Sequence, residues 1–389
     1  MLSNILLTAA FAAGLTNALP QATGAPKTSS TRAPTATTTA AAAASGNPFA
    51  GKDFYANPYY SSEIYSLAMP SMPASLKPAA SAVAKVGSFV WMDTRAKVPL
   101  MDTYLADIKA KNAAGAKLMG TFVVYDLPER DCAALASNGE LKIDEDGENK
   151  YKTEYIDKIA AIIKKYPDVK INLAIEPDCK CCKCTCKILK LTKTALANMI
   201  TNMGVAKCAK AAPYYESLTV YALKTLNFPN VDMYLDGGHG GWLGWDANIG
   251  PAAKFFAKVY KAAGSPRAVR GIVTNVSNYN PFSIGTCNSI TQGNKNCDEQ
   301  RYINSFAPLL KAEGFPAHFI VDVGRTGKQP TAQQAWGDWC NVQGAGFGPR
   351  PTTNTGNDLV DAFVWVKPGG EVCFVLPQNY TKQHANLNA

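Results

Sequence analysis

A chain of 389 residues with 47% hydrophobic and 18% charged residues is long enough for one large catalytic domain and too apolar to be disordered. The formal charge of +9 is uneven: residues 179–195 hold five lysines and no acid, which leaves +4 for everything else. That remainder is an ordinary surface and not the electrostatic footprint of a nucleic-acid-binding protein.

In chain order, the first feature is an apolar run, Ile5 to Leu15, followed by Thr16-Asn17-Ala18. It is too short to cross a bilayer and ends in small residues, so residues 1–18 read as a secretory signal lacking the usual basic start. No later segment is apolar enough to span a membrane, and secretion makes disulfides permissible. Residues 19–47 are rich in Thr, Ala, Ser and Pro and read as an unfolded, O-glycosylated type of linker. Residues 48–371 read as one catalytic domain. Apolar runs at Ser88–Asp93, Leu118–Tyr125, Ile171–Glu176, Asp232–Asp236, Gly271–Val276, His318–Asp322 and Ala362–Val366 predict strands. Between them, Tyr151–Lys165, Pro251–Ala263 and Asp298–Glu313 have helical spacing. Seven short strands separated by helices predict a parallel α/β sheet, closed or nearly closed into a barrel. An open doubly wound sheet is the alternative, but no glycine-rich phosphate fingerprint follows a strand.

Polar residues gather at the C-terminal ends of these strands: Trp91-Met92-Asp93, Tyr125-Asp126, Glu176-Pro177-Asp178, Asp236 to His239, Asn275 to Asn278, and Asp322. In a βα barrel that edge carries the active site. Asp131 in VVYDLPERDC and Asp178 in IEPD each follow a buried strand, where desolvation raises a carboxyl pKa. Arg130, beside Asp131, is placed to keep that carboxylate charged. Two carboxyl groups in opposed environments suit acid-assisted cleavage of a glycosidic bond. The loop DGGHGGWLGW, residues 236–245, surrounds Trp242 and Trp245 with glycines, which predicts an exposed platform for sugar rings. Trp365, inside FVWV, reads as core.

VVYDLPERDC, IEPD, YLDGGHGGWLGW, TNVSNYN, GRTGKQPTAQQAWGDWC and FVWVKPGGE together resemble glycoside hydrolase family 6, in its fungal cellobiohydrolase type. The resemblance runs from about Asn47 to Glu371, apart from residues 179–195. It implies a distorted, seven-stranded TIM-like barrel that cuts β-1,4-glucan with inversion and releases cellobiose from non-reducing ends. An endoglucanase of the same family and a catalytically impaired glucan-binding protein are the alternatives. The resemblance implies Asp178 as proton donor and Asp131, with Arg130 beside it, as the second carboxylate. Tyr125 would press on the distorted sugar, and Ser137 would hold the attacking water. Trp91 and Trp339 would flank a glycone-side sugar, with Trp242 and Trp245 on the leaving-group side. Asp93, Asp236, His239, Asn278, Lys367 and Glu371 would bond hydroxyls. Cys132 and Cys208 would form a disulfide, while Cys287 and Cys297 are spaced to close a loop without support from the family. The expected partners are cellulose and cello-oligosaccharides, with no nucleic acid, membrane, metal or cofactor, in a secreted, extracellular monomer.

Two stretches depart from the family. After IEPD the family has one small residue and then a helix, where this chain has CKCCKCTCKILKLTKTA at 179–195. That run reads as a thiolate metal cluster, which would make the protein a metal sequesterer, or as a real loop. It also reads as a retained intron, because Cys-Lys-Cys is codable with an intron start and excision in frame restores a Ser codon before Leu196. Residues 372–389 leave the family in the same way. A barrel ended there would lack its terminal helix, and at ~25 cal/mol per Å² the bared apolar surface predicts poor folding.

Overall fold

The computed structural model describes residues 46–132, 138–177, 195–338 and 342–370. The leader, the cysteine-rich run, the chain end and positions Ser137, Asp178, Trp339, Cys340, Glu371 and Cys373 lie outside the described residues. The strands are β1 (Asp53–Phe54), β2 (Val90–Met92), β3 (Leu118–Val124), β4 (Ile171–Ile175), β5 (Val231–Asp236), β6 (Val269–Thr274), β7 (His318–Asp322) and β8 (Val360–Val364). Strands β2 to β8 pair side by side in chain order, all parallel. Such an order needs a crossover after every strand, and helices such as Val98–Ala113, Ala206–Thr225, Asp246–Ala262 and Glu299–Ala312 supply them.

Both faces of each strand are therefore covered, which is why the strands read as unbroken apolar runs. Alternate residues serve two cores. Phe122, Leu173, Met233, Leu235, Ile272 and Phe319 join the large core beneath the helices. Val123, Tyr125, Ala174, Tyr234, Val273, Ile320 and Ala362 form a second cluster that fills the barrel. β2 and β8 close the barrel without a ladder. The Phe89 amide donates to the Trp365 carbonyl at 2.9 Å, and the Trp91 indole donates to the Val366 carbonyl at 2.9 Å. The result is the expected distorted seven-stranded barrel, with β1 as a two-residue addition against Leu118 and Met119 of β3.

Several sequence expectations shift: β6, expected at Gly271–Val276, spans Val269–Thr274, and β2, expected at Ser88–Asp93, only Val90–Met92. The last strand spans Val360–Val364 rather than Ala362–Val366, because Trp365 and Val366 already turn over the barrel end, where the Val366 amide bonds Asp322 at 3.2 Å. The helix expected at Pro251 begins at Asp246. Ile249 lies on the same buried face as Ala252, Ala253 and Phe256, and that burial outweighs the hydrogen bond lost at proline. The helix Glu299–Ala312 starts one residue late because Asp298 is its cap, accepting from the Arg301 amide at 2.8 Å.

Two disulfides are present among the described residues. Cys132–Cys208 ties the segment after β3 to the helix Ala206–Thr225, and Cys287–Cys297 closes the loop before Glu299. At the N-terminal end of the barrel, Asp361 of β8 receives the Arg270 fork through Nε at 3.0 Å and Nη2 at 2.9 Å, with the Tyr234 hydroxyl at 2.8 Å. That foot is a closed, charge-balanced network.

Candidate active site

At the C-terminal edge the chain holds its acids differently. β3 runs directly into Tyr125, whose amide donates to the Tyr155 hydroxyl at 2.8 Å; that hydroxyl in turn donates to the Met92 carbonyl. Tyr155 therefore locks the ends of β2 and β3 together. Arg130 folds back over the Tyr125 ring, 4.2 Å from its centroid. Its Nη1 donates to the Asp93 carbonyl at 2.7 Å and to the Tyr125 carbonyl, and lies 3.4 Å from Asp126. Glu129 and Asp131 both have positive φ, 58° and 54°, a conformation few side-chain-bearing residues adopt. The Cys132–Cys208 bond and a 2.7 Å hydrogen bond from Tyr215 to the Glu129 carbonyl hold this turn in place. Asp131 is thereby fixed and buried.

β4 delivers a second buried acid. Glu176 accepts from the Tyr151 hydroxyl at 2.6 Å and from the amides of Asp126 and Leu127 at 3.4 and 3.3 Å. Burial nevertheless outweighs these donors and pushes its carboxyl up to about 7. Burial pushes Asp126 further, to about 9, against the pull of Arg130 and with the charges of Glu140 and Glu176 adding to the rise. At neutral pH Asp126 is thus protonated, and Glu176 shares its population between the two forms. They underlie the point from which the chain continues to Asp178, two residues beyond Glu176 and outside the described residues.

The aromatic residues divide into two groups. Trp91 meets Tyr125 edge-on at 5.7 Å, and the Lys367 ammonium lies 6.0 Å from the indole centroid. The structure therefore brings Trp91, Tyr125, Arg130, Asp131 and Lys367 to one side of the mouth, with Asp93 beside them, paired to Lys97 at 2.6 Å. Across the barrel, Trp245 meets Trp336 at 6.2 Å. Trp242 corrects the expectation of an exposed platform. It is only 4% exposed and packs into the large core, donating to the Thr201 hydroxyl at 3.0 Å. The glycines around it serve close backbone approach instead: a Cβ on Gly240 would lie 2.3 Å from the Asn296 carbonyl oxygen, and one on Gly244 would lie 2.3 Å from that of Gly240.

Asp236 ends β5 and accepts from the Gly238 amide at 3.3 Å, while His239 is buried one turn beyond. Asn278 turns inward to its own loop, donating to the Val276 carbonyl at 3.1 Å. Asp322 ends β7 and receives four backbone amides, from Ser277, Gly324, Val366 and Lys367, at 3.0 to 3.2 Å. It is the knot that ties the ends of β6, β7 and β8. Burial still pushes it up to about 6. Ser137, Asp178, Trp339 and Glu371 are the sequence candidates that lie outside the described residues. Reading the sequence also missed Glu299 and Trp336. Glu299 looked like one more acid at a helix start, and Trp336 like one of several loop tryptophans.

A parallel barrel whose mouth concentrates buried acids beside indoles, phenols and a cation is built as a carbohydrate-cleaving hydrolase. The sequence pattern of "Glycosyl hydrolases family 6" matches residues 49–373, and the chain belongs to that family. It is 62% identical over 331 residues to the Aspergillus terreus protein "Probable 1,4-beta-D-glucan cellobiohydrolase C", covering 85% of this chain and 67% of that one. Among solved structures it resembles the catalytic core of the cellobiohydrolase Cel6A from Chaetomium thermophilum, at 55% identity and a TM-score of 0.79, over 85% of this chain and 88% of that one. It also resembles Cel6A from Humicola insolens in complex with glucose and cellotetraose, at 54% identity and a TM-score of 0.79, over 84% and 87% of the two chains.

Proposed function

We propose that this glycoside hydrolase is a secreted cellulase that cuts β-1,4-glucosidic bonds with inversion and releases cellobiose from the non-reducing ends of cellulose. The carrying observation is the convergence of Trp91, Tyr125, Lys367 and the Arg130–Asp131 turn at one side of the barrel mouth, in a chain whose family relatives are named cellobiohydrolases. An indole face and a phenol beside a buried acid suit a pyranose held at its point of cleavage.

In this reading Asp178 protonates the leaving oxygen. Asp131, held close to Arg130 and fixed by its strained turn and the disulfide, supports the oxocarbenium-like transition state and keeps the donor's pKa high. Asp126, raised to about 9, and Glu176, raised to about 7, carry less negative charge at neutral pH than ordinary carboxylates do. Tyr125 limits the room available to the sugar ring, and Ser137 holds the water. Trp91 and Trp339 flank the glycone side, with Trp245 toward the leaving group and Trp242 packed in the core behind it. Asp93, Asp236, His239, Asn278, Lys367 and Glu371 bond hydroxyls.

An endo-acting reading rests on the Fusarium oxysporum relative, 58% identical and named "Putative endoglucanase type B". Products from crystalline and soluble cellulose separate the two. Release of cellobiose from both, with little loss of viscosity in the soluble polymer, is the expected result. A rapid fall in viscosity with scattered product lengths would establish endo action instead.

A further inference from the structure

Glu299 is the first residue of a helix, the usual place for a solvated acid, yet it is fully buried. Its Oε1 accepts two hydrogen bonds from two different loops: the Gly240 amide at 3.0 Å and the Asn280 side-chain amide at 2.9 Å. Asn280 is itself buried, and its orientation is not arbitrary. The Trp336 indole N–H, which is only a donor, lies 2.7 Å from Asn280 Oδ1. The carbonyl of the amide must therefore face Trp336, and its NH2 group must face Glu299 and, at 3.2 Å, His239 Nδ1. The Gly241 amide also donates to that nitrogen at 3.2 Å. With two donors aimed at Nδ1, the imidazole carries its proton on Nε2.

We infer that Glu299 is a positioning residue for sugar binding: it ties the loop bearing His239 and Trp245, through Gly240, to the loop bearing Asn280, whose side chain reaches both His239 and Trp336, and so holds His239 as the Nε2–H donor. The inference rests on the reading of His239 and Trp245 as sugar-contacting groups and extends it one layer inward. The loop geometry gives it force. Trp245 donates to the Gly241 carbonyl at 2.9 Å and packs edge-on against Trp336, so both ends of this aromatic pair trace back to the same carboxyl. Asn294 adds a bond to the Gly240 carbonyl at 3.2 Å, whereas Glu299 Oε1 bonds both Gly240 and Asn280 from one atom.

The linkage does not depend on the charge of Glu299. Burial pushes this carboxyl up to about 7, with the neighbouring Asp298 adding to the rise, and Asn280, Gly240 and Thr274 opposing it through hydrogen bonds. Tyr302 lies within reach of the charges of both Glu299 and Asp236, and His239 faces Glu299 across Asn280. In either protonation state Oε1 still accepts from Gly240 and Asn280. An isosteric amide should therefore replace it, and a methyl group should not.

The test is steady-state hydrolysis of cellohexaose by the full chain and three variants, with 15N NMR of the imidazole nitrogens. E299A is expected to raise KM about tenfold while kcat stays within about threefold, the signature of lost binding and not lost chemistry. E299Q is expected to restore KM to within about twofold. N280D places a carboxylate acceptor where Nδ1 now receives a donor, so the His239 proton is expected to move to Nδ1 or the ring to become doubly protonated. An unchanged KM in E299A, an E299Q as impaired as E299A, or an N280D in which the proton stays on Nε2 alone overturns the inference. If E299A does not fold, E299Q and N280D still decide it. A chain with no turnover whose His239 proton nonetheless moves in N280D overturns the functional reading and leaves the tautomer control standing.

Discussion

The two ends of the barrel bury acids to opposite effect. At the foot, burial would raise Asp361, but hydrogen bonds from His318 and the Arg270 fork outweigh it and hold this carboxyl below its ordinary range. At the mouth, Asp322 collects four amide hydrogen bonds and still rises to about 6. Asp126 and Glu176 rise higher. The number of donors does not separate the two regions. Fork geometry does: Arg270 grips both oxygens of Asp361, whereas Arg130 and Arg325 oppose the rise of Asp126 and Asp322 without such a grip and do not cancel the cost of burial. The foot is thus built to stay ionised and hold the strands, and the mouth is built to keep protons available.

The sharpest way to break that contrast is at the mouth. Asp178→Asn is expected to cut cellohexaose kcat by roughly 10²–10⁴ with an unchanged melting temperature. A melting temperature that falls with activity would make Asp178 part of the scaffold instead. The foot should answer in the opposite sense. Asp361→Ala leaves Arg270 buried without its partner, a loss of about 3–5 kcal/mol, expected as a fall of roughly 10 °C in calorimetry with kcat of the surviving enzyme little changed.

The pH dependence sharpens the comparison further. Asp126 and Glu176 have raised folded pKa values, so the stability they contribute is complete below their unfolded values. It is lost as pH rises, through about 7 for Glu176 and about 9 for Asp126. Asp361 is lowered, so its contribution is present above the unfolded value and is lost as pH falls toward its folded value. Melting temperature is therefore expected to decline from pH 5 to pH 9, and Asp126→Asn should flatten that alkaline slope alone. A variant as steep as the parent would show that Asp126 is not the group responsible. The smallest effect is expected for the Cys287→Ser, Cys297→Ser pair. The bond closes a short loop, so its loss should lower the melting temperature by about 5 °C or less and leave Asp131 chemistry intact.

Much of the barrel was legible because a strand buried on both faces is a short apolar run, and seven such runs stand out between helical stretches. β1 was not, since two residues, Asp53 and Phe54, carry no periodicity. The start of the helix at Asp246 was hidden by Pro251, which reads locally as a boundary and is overruled by the burial of Ile249. Strand-end acids such as Asp126, Glu176 and Asp322 announced the mouth as a set, although Asp322 itself serves to tie strand ends together. Trp242 misled, since glycines that permit two backbones to touch look the same in sequence as glycines that expose a platform. Glu299 was invisible for a related reason: an acid after Asp298 at a helix start looks like capping, and only the fold places it under His239 and Asn280.

The most direct test of a hydrolytic mouth is the product pattern from cellohexaose incubated with the full-length chain. Cellobiose and cellotetraose appearing first, and disappearing from the Asp178→Asn reaction, is the expected result. Cellohexaose left intact by the parent chain, or cleaved equally well by the variant, would contradict it.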